Sequence, residues 1–245
     1  MPADSTAARY EAWDLEALAD IPNYQDWIIA SFRPYLAGEA VEIGAGMGTF
    51  SRRILTHVDR LELVEPAPNL TRHLQSEFSD RTRISVVAKT VEEYLDDAAP
   101  ASRDCAVMIN VLEHIQDDSA VMAGLFRLLR PGGHLLVFVP ALPWLFSDMD
   151  VALGHRRRYR KGDLVDLAGA HGFEVVVARY IDVLGVLPWW VAYTLGGKIR
   201  FDRGLSGLYD CLVVPVGRAI ETALSPPLGK NVVLVAHKPD REPAP

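Results

Sequence analysis

The chain of 245 residues carries only two cysteines, Cys105 and Cys211, too few for a disulfide framework and not spaced as metal ligands. Cys105 falls in an apolar run and reads as a small core residue, which fits a reducing, cytoplasmic setting. Basic charge is not in excess: 25 Lys and Arg face 32 Asp and Glu, for a net charge of −7. That balance argues against a general nucleic-acid binder held by counterion release. The apolar stretch Val183 to Gly197 is uncharged for only 15 residues and contains Pro188, short of the ~20 that span a bilayer as a helix. Met1 to Ala8 has neither a basic start nor an apolar core, so no secretory signal is read there. Repeats and long low-complexity tracts are missing too, and the tail Asp240 to Pro245 reads as disordered. What is present is 49% hydrophobic, enough for one well-buried domain with an elaboration.

The organising stretch is Val41 to Phe50, Val-Glu-Ile-Gly-Ala-Gly-Met-Gly-Thr-Phe. A β-type run breaks into Gly44, Gly46 and Gly48, and an amphipathic helix is expected over Thr49 to His57. Glycine is required where φ turns positive or where a ligand comes so close that a Cβ would collide with it. Glu65 ends the next β-type run, Leu61-Glu62-Leu63-Val64. A carboxylate at that strand tip can accept both hydroxyl protons of a ribose. Dinucleotide enzymes carry G-x-G-x-x-G facing a pyrophosphate, but here position 49 is Thr, and Glu42 inside the strand would repel a diphosphate while accepting from an ammonium.

This pattern resembles the first motif of the class I S-adenosylmethionine-dependent methyltransferases, of the bacterial small-molecule type. The resemblance implies S-adenosyl-L-methionine as cofactor, held by Glu42, Gly44, Gly46, Gly48 and Glu65. Later segments agree with it: Leu-Glu-His-Ile at 112–115 and Leu-Leu-Arg-Pro-Gly-Gly at 128–133. It also implies that Thr90 and Val91 flank the adenine, against a second reading in which they simply cap and start a helix. Asn110 and Val111, at the end of the fourth strand, would meet the methionine portion.

Alternating runs give strands near 61–64, 83–89, 104–110, 134–140, 173–180 and 231–237, with helices between them, Pro131-Gly132-Gly133 stopping the helix before strand five. The alternation predicts an α/β fold with a seven-stranded, doubly wound sheet, and the resemblance implies that it is Rossmann-like with its last strand antiparallel. The domains read as an N-terminal helical cap over 1–38, a cofactor-binding core over 39–180, an apolar helical insertion over 181–230 and the last strand over 231–239. Within the cap, Tyr10, Trp13, Tyr24 and Trp27 are the aromatic residues that stand out; Trp27 reads as packing, and Tyr24 as packing or as a residue closing over the cofactor.

Two loops would hold specificity. Residues 141–161 contain Trp144, Phe146, Asp148, Asp150, His155 and Tyr159. Their basic run, Arg156 to Lys161, has three readings: a solvated helix start paired with Asp148 and Asp150, an anion site for the acceptor, or a nucleic-acid patch. The insertion, with Trp189, Trp190 and Tyr193, reads as a lid, as the interface of a homodimer, or as an interfacial membrane contact through 183–197.

The expected chemistry is methyl transfer to an oxygen or nitrogen of a small-molecule acceptor. His155 is the first candidate for a general base, then His114, with Tyr159 or Asp148 orienting either. His114 has a second reading as a helix-starting residue bonded to backbone. No metal site is read. The alternatives are a non-catalytic cofactor-binding or membrane-associated partner protein, and a nicotinamide-dependent oxidoreductase.

Overall fold

Every β-type run becomes a strand in the computed structural model of the protein, which describes residues 20–199 and 203–240. Tyr10, Trp13 and the end of the tail lie outside the described residues. The strands are β1 (Glu39–Ile43), β2 (Arg60–Val64), β3 (Ile84–Val87), β4 (Arg103–Ile109), β5 (Leu129–Pro140), β6 (Glu174–Ile181) and β7 (Asn231–His237). They make one sheet in the order β3-β2-β1-β4-β5-β7-β6. Neighbours from β3 to β5 are parallel, whereas β7 runs antiparallel to both β5 and β6. This is the expected Rossmann-like α/β sheet with its last strand reversed.

The helices are α1 (Pro22–Phe32), α2 (Ser51–Ile54), α3 (Pro68–Glu77), α4 (Val91–Asp97), α5 (Asp118–Leu128), α6 (Asp148–Ala152), α7 (Lys161–Ala170), α8 (Val186–Trp189), α9 (Arg203–Leu208) and α10 (Val214–Ala223). Wider π turns carry α8 on through Trp190–Leu195 and join α9 to α10 through Tyr209–Val213.

Strand periodicity divides the interior into a cluster on each face of the sheet. Val41, Ile43, Met108 and Val137 pack on one side with Leu125 of α5. Ala40, Val107 and Phe138 point to the other, where Phe32 of α1 and Ile54 of α2 cover them. β4 is buried on both faces, as its almost uninterrupted apolar sequence requires. Truncating a fully buried side chain such as Met108 to Ala would cost about 2–5 kcal/mol. Trp27 is buried in the second cluster, so it is a packing residue.

Two local expectations are corrected. The helix after the glycine loop is only Ser51–Ile54, because the chain must turn over buried Leu55 and Val58 to enter β2. Pro131-Gly132-Gly133 does not stop the preceding helix, which ends at Leu128. The three residues lie within β5 at a register shift against β4. There Gly132, at φ +79°, donates its N–H to Lys238 O at 2.8 Å, and Lys238 N returns a bond to Gly133 O at 2.8 Å.

Candidate active site

The chain leaves β1, β4, β5 and β6 at the same edge of the sheet, and each exit bends through left-handed backbone. The residues are Gly44 (φ 72°), Asn110 (φ 53°), Leu142 (φ 61°) and Asp182 (φ 65°). Only glycine enters that region without steric cost, and non-glycine examples gather where the surrounding structure has a use for them. β7, antiparallel, brings its first residue, Asn231, to the same edge.

Gly44 has a second constraint: a Cβ there would run into Cγ2 of Val111, so the first glycine and the residue after Asn110 are mutually fitted. Beneath this loop Glu42 is buried and accepts from Ser51 Oγ at 2.5 Å. Burial pushes its carboxyl up to about 8, against the lowering effect of Ser51 and with the help of Glu65. Glu65 closes the loop from the side: Oε2 accepts from Gly46 N at 2.9 Å and Oε1 from Ala67 N at 2.9 Å. Burial raises its pKa too, while those backbone bonds oppose the shift. Two carboxyl groups under a bare-backbone loop offer hydrogen-bonding partners to an amino-acid nucleoside and no cation to a diphosphate. Gly48 serves differently, since a Cβ there would meet Phe78 Cε2 at 2.9 Å and Leu74 Cδ2 at 3.1 Å; it lets the loop pack on α3.

A cavity of about 320 Å³ opens over this loop, between the sheet edge and the insertion. Gly44, Gly46, Asn110 and Phe138 form its floor; Trp189, Tyr193 and Tyr209 come from the insertion. The two adjacent tryptophans part company: Trp189 is buried on the cavity side under the guanidinium of Arg158, 4.6 Å from its ring centroid, while Trp190 is exposed. Tyr24 forms another wall, its hydroxyl bonded to Asn231 Oδ1 at 2.8 Å and its ring edge-on to Trp27 and Phe138.

The insertion is tied to α1 at its middle, and its two ends are tied to each other. Asp210 accepts from the backbone N–H groups of Asn23, at 3.1 Å, and Tyr24, at 2.8 Å. It thus caps α1, whose own N-cap residue, Ile21, has no polar side chain. Asp182 pairs with Lys230 Nζ at 2.8 Å and accepts from the Tyr209 hydroxyl. Lys230 in turn lies 4.9 Å from the ring centroid of Tyr24 and 5.6 Å from that of Tyr209.

At the opposite wall His114 and His155 stand edge to face, 4.8 Å between centroids. His155 Nδ1 is 2.9 Å from Asp150 Oδ1, and the same oxygen accepts from Arg158 Nε at 2.8 Å. Asp150 Oδ2 accepts from Ser147 N and Oγ. Burial alone would raise the Asp150 carboxyl, but His155 and Arg158 outweigh it and hold it low. His114 Nδ1 is 3.2 Å from Gly154 O, and burial with the neighbouring His155 lowers its pKa to about 4. Behind both lies Glu113, fully buried, its carboxylate without a hydrogen bond from any other described residue. Burial pushes it up to about 7.

Of the residues named from the sequence, Tyr24, Gly44, Gly46, Asn110, His114 and His155 meet around one cavity. Others are engaged elsewhere. Thr90 caps α4 in a reciprocal box with Glu93, and Val91 is core. Tyr159 cannot orient His155: its hydroxyl contacts Asp118 Oδ2 at 2.8 Å and Leu112 O at 3.2 Å. Asp148 is exposed, and Asp150 holds the imidazole instead. Nor is the basic run wholly solvated, because Arg158 is buried against Asp150. Asp150 was read as one of the specificity-loop groups but not as the partner of His155, and Glu113, Lys230, Asn231 and Asp210 carry no such signal in the sequence. A tandem of buried-type positions with charge, such as Met149-Asp150 after Ser147, was the available signal for Asp150.

Known proteins extend this geometry. A family described as a methyltransferase domain matches residues 17–178. A Mycolicibacterium smegmatis protein named as a probable S-adenosylmethionine-dependent methyltransferase is 36% identical over 88 residues, 35% of this chain and 32% of that one. Nodulation protein S of Rhizobium tropici is 26% identical over 100 residues, 40% of this chain and 41% of that one. The chain therefore matches under half the length of these two relatives. The N-methyltransferase NodS of Bradyrhizobium japonicum, solved with S-adenosyl-L-homocysteine, superposes with a TM-score of 0.60 at 14% identity, covering 95% of this chain and 94% of that one, a likeness of fold. The glycine loop, its two carboxyl groups and the reversed last strand now have one account in place of the nicotinamide alternative: the chain belongs to the methyltransferase domain family, of the class I, S-adenosylmethionine-dependent type.

Proposed function

We propose that the protein transfers the methyl group of S-adenosylmethionine to an oxygen or nitrogen of a small-molecule acceptor. One observation carries this reading: a single cavity joins the Gly44–Gly46 loop to the His114–His155 pair beneath an aromatic lid. The cofactor supplies an electrophilic sulfonium methyl. The chain's own task is alignment of the acceptor with that methyl, an effect worth ~7–11 kcal/mol. Trp189, Tyr193 and Tyr209 exclude water from the acceptor end. A hydroxyl or ammonium acceptor must also give up its proton, and the Glu113, His114 and His155 group is the polar patch that would govern its release.

The nitrogen reading is supported by NodS, described as an N-methyltransferase. The test is release of S-adenosylhomocysteine when the purified chain is given S-adenosylmethionine with panels of phenols, alcohols and amines. Turnover with at least one panel supports the reading. Binding of the cofactor product without turnover on any panel favours the non-catalytic alternative.

The outer face of the insertion suggests where the acceptor is collected. Leu187, Leu195, Leu208 and Leu212 are exposed there, with the cation Arg218 also exposed, while exposed Leu205 and Lys198 stand at the cavity itself. Asp182, Asp210 and Glu221, the acids among its described residues, are all buried. An apolar, cationic face on a chain of net charge −7 suits an anionic lipid surface. Among the described residues no helix is long and apolar enough to cross a membrane.

A further inference from the structure

A buried carboxylate normally has hydrogen-bond partners, because removing its charge from water is otherwise uncompensated. Glu113 departs from this rule: it has no exposed surface, and no other described residue hydrogen-bonds Oε1 or Oε2. Two imidazoles stand beside it. One ligand atom from each of Glu113, His114 and His155 lies within 4.8 Å of the other two, and Nε2 of His155 is 3.9 Å from Glu113 Oε1.

Both histidines are braced through the other ring nitrogen. Nδ1 of His155 faces Asp150, which Arg158 and Ser147 hold in turn, and Nδ1 of His114 faces the Gly154 carbonyl. A ring that donates from Nδ1 to a carboxylate or carbonyl presents the lone pair of Nε2, the arrangement that surrounds metal-ligating histidines.

We propose that Glu113, His114 and His155 bind a divalent transition-metal ion at the acceptor end of the cavity. Two imidazole nitrogens and one carboxylate oxygen suit Zn²⁺ or Fe²⁺ over Mg²⁺, which prefers an all-oxygen shell. Ligand bonds of ~2.0–2.2 Å require the three donors to draw in by about 1 Å, a movement side-chain rotation provides. The ion neutralises Glu113 and leaves coordination positions open toward the cavity.

This assignment rests on the methyltransferase reading for its role. An acceptor hydroxyl bound to the ion loses its proton to solvent more readily, because the cation stabilises the oxyanion. The oxygen lone pair then forms the bond to the methyl carbon as the carbon–sulfur bond breaks, its electron pair passing to sulfur. The histidines hold the ion and do not themselves take up the proton.

The experiment uses the full chain without a polyhistidine tag, stripped with chelator and titrated separately with Zn²⁺ and Mg²⁺. The expected result is a single Zn²⁺ per chain, far weaker Mg²⁺ binding, and at least a tenfold loss of Zn²⁺ affinity in Glu113→Gln and in a His114→Ala, His155→Ala double variant. Glu113→Gln also separates ligation from folding: it removes an uncompensated buried carboxylate, so the metal-free variant should melt no lower than the metal-free parent. Equal Zn²⁺ binding by parent and variants overturns the site, as does a parent that binds none. Calorimetry with S-adenosylhomocysteine on the same samples keeps the two ideas apart, since its binding without Zn²⁺ binding removes the metal site alone, and its failure removes the methyltransferase reading.

Discussion

Arg158 and Asp150 form a fully desolvated ion pair, Nε to Oδ1 at 2.8 Å, with side chains 1% and 0% exposed. It links the loop after β5 to the wall of the cavity, since the Arg158 guanidinium also covers the Trp189 ring and donates to Ala141 O.

Removing one partner of such a pair strands the other. Asp150→Asn should therefore destabilise the fold by about 3–5 kcal/mol, and Asp150→Asn with Arg158→Met should recover much of that loss. Denaturant melts of the parent, both single variants and the double variant measure the coupling. Additive losses would show that the pair is not a unit.

Gly44→Ala meets two obstacles, the φ of 72° and the Val111 side chain. The first costs about 1–2 kcal/mol, and the second displaces the loop, so affinity for S-adenosylhomocysteine should fall at least tenfold. Adding Val111→Ala should restore part of the affinity by relieving the contact while leaving the backbone cost. A Gly44→Ala variant with parental affinity would mean the loop does not approach the ligand.

Glu42 gives a pH dependence of definite sign. Its carboxyl is raised by burial from 4.5 to about 8, so between those values the folded chain keeps a proton that the unfolded chain has released. Stability must then decline as pH climbs through that window. Glu42→Gln cannot titrate there and should show a flatter decline between pH 5 and pH 8. Melting curves across that range for both proteins provide the comparison, and parallel slopes would remove Glu42 as the source.

Asp210 reaches across from the insertion to cap α1. Asp210→Ala should lower stability by about 0.5–2 kcal/mol and loosen the insertion, which limited proteolysis within 181–230 should detect as faster cleavage. Unchanged cleavage would mean the cap does not anchor the insertion.

The sheet was legible because its signals are local: β-type runs and the glycine elbow each depend on neighbouring residues, whereas the reversed last strand, a long-range pairing of β7 with β5 and β6, came only from the family resemblance. The Gly44, Gly46 and Asn110 side of the cavity was legible for the same reason, as these residues follow directly from strand ends. The surroundings of His114 and His155 were less so. Glu113–His114 and Asp150–His155 are each local pairs, but only tertiary folding brings the two together, so the sequence pointed to Asp148 and Tyr159 as partners of the imidazoles and to no metal cluster. Thr90 illustrates the converse, because its capping box with Glu93 explains it without a ligand. The same distance in sequence hid Asp210, whose partners are at the other end of the chain.

The central claim is that two carboxyl groups and a glycine elbow grip one sulfonium nucleoside. Its most direct test is isothermal titration of the parent chain and a Glu42→Gln, Glu65→Gln double variant with S-adenosylhomocysteine, with NAD as the control ligand. The account predicts saturable binding of S-adenosylhomocysteine by the parent, none of NAD, and a loss of at least tenfold in the variant. Equal affinity in parent and variant, or binding of NAD in place of the nucleoside, would contradict it.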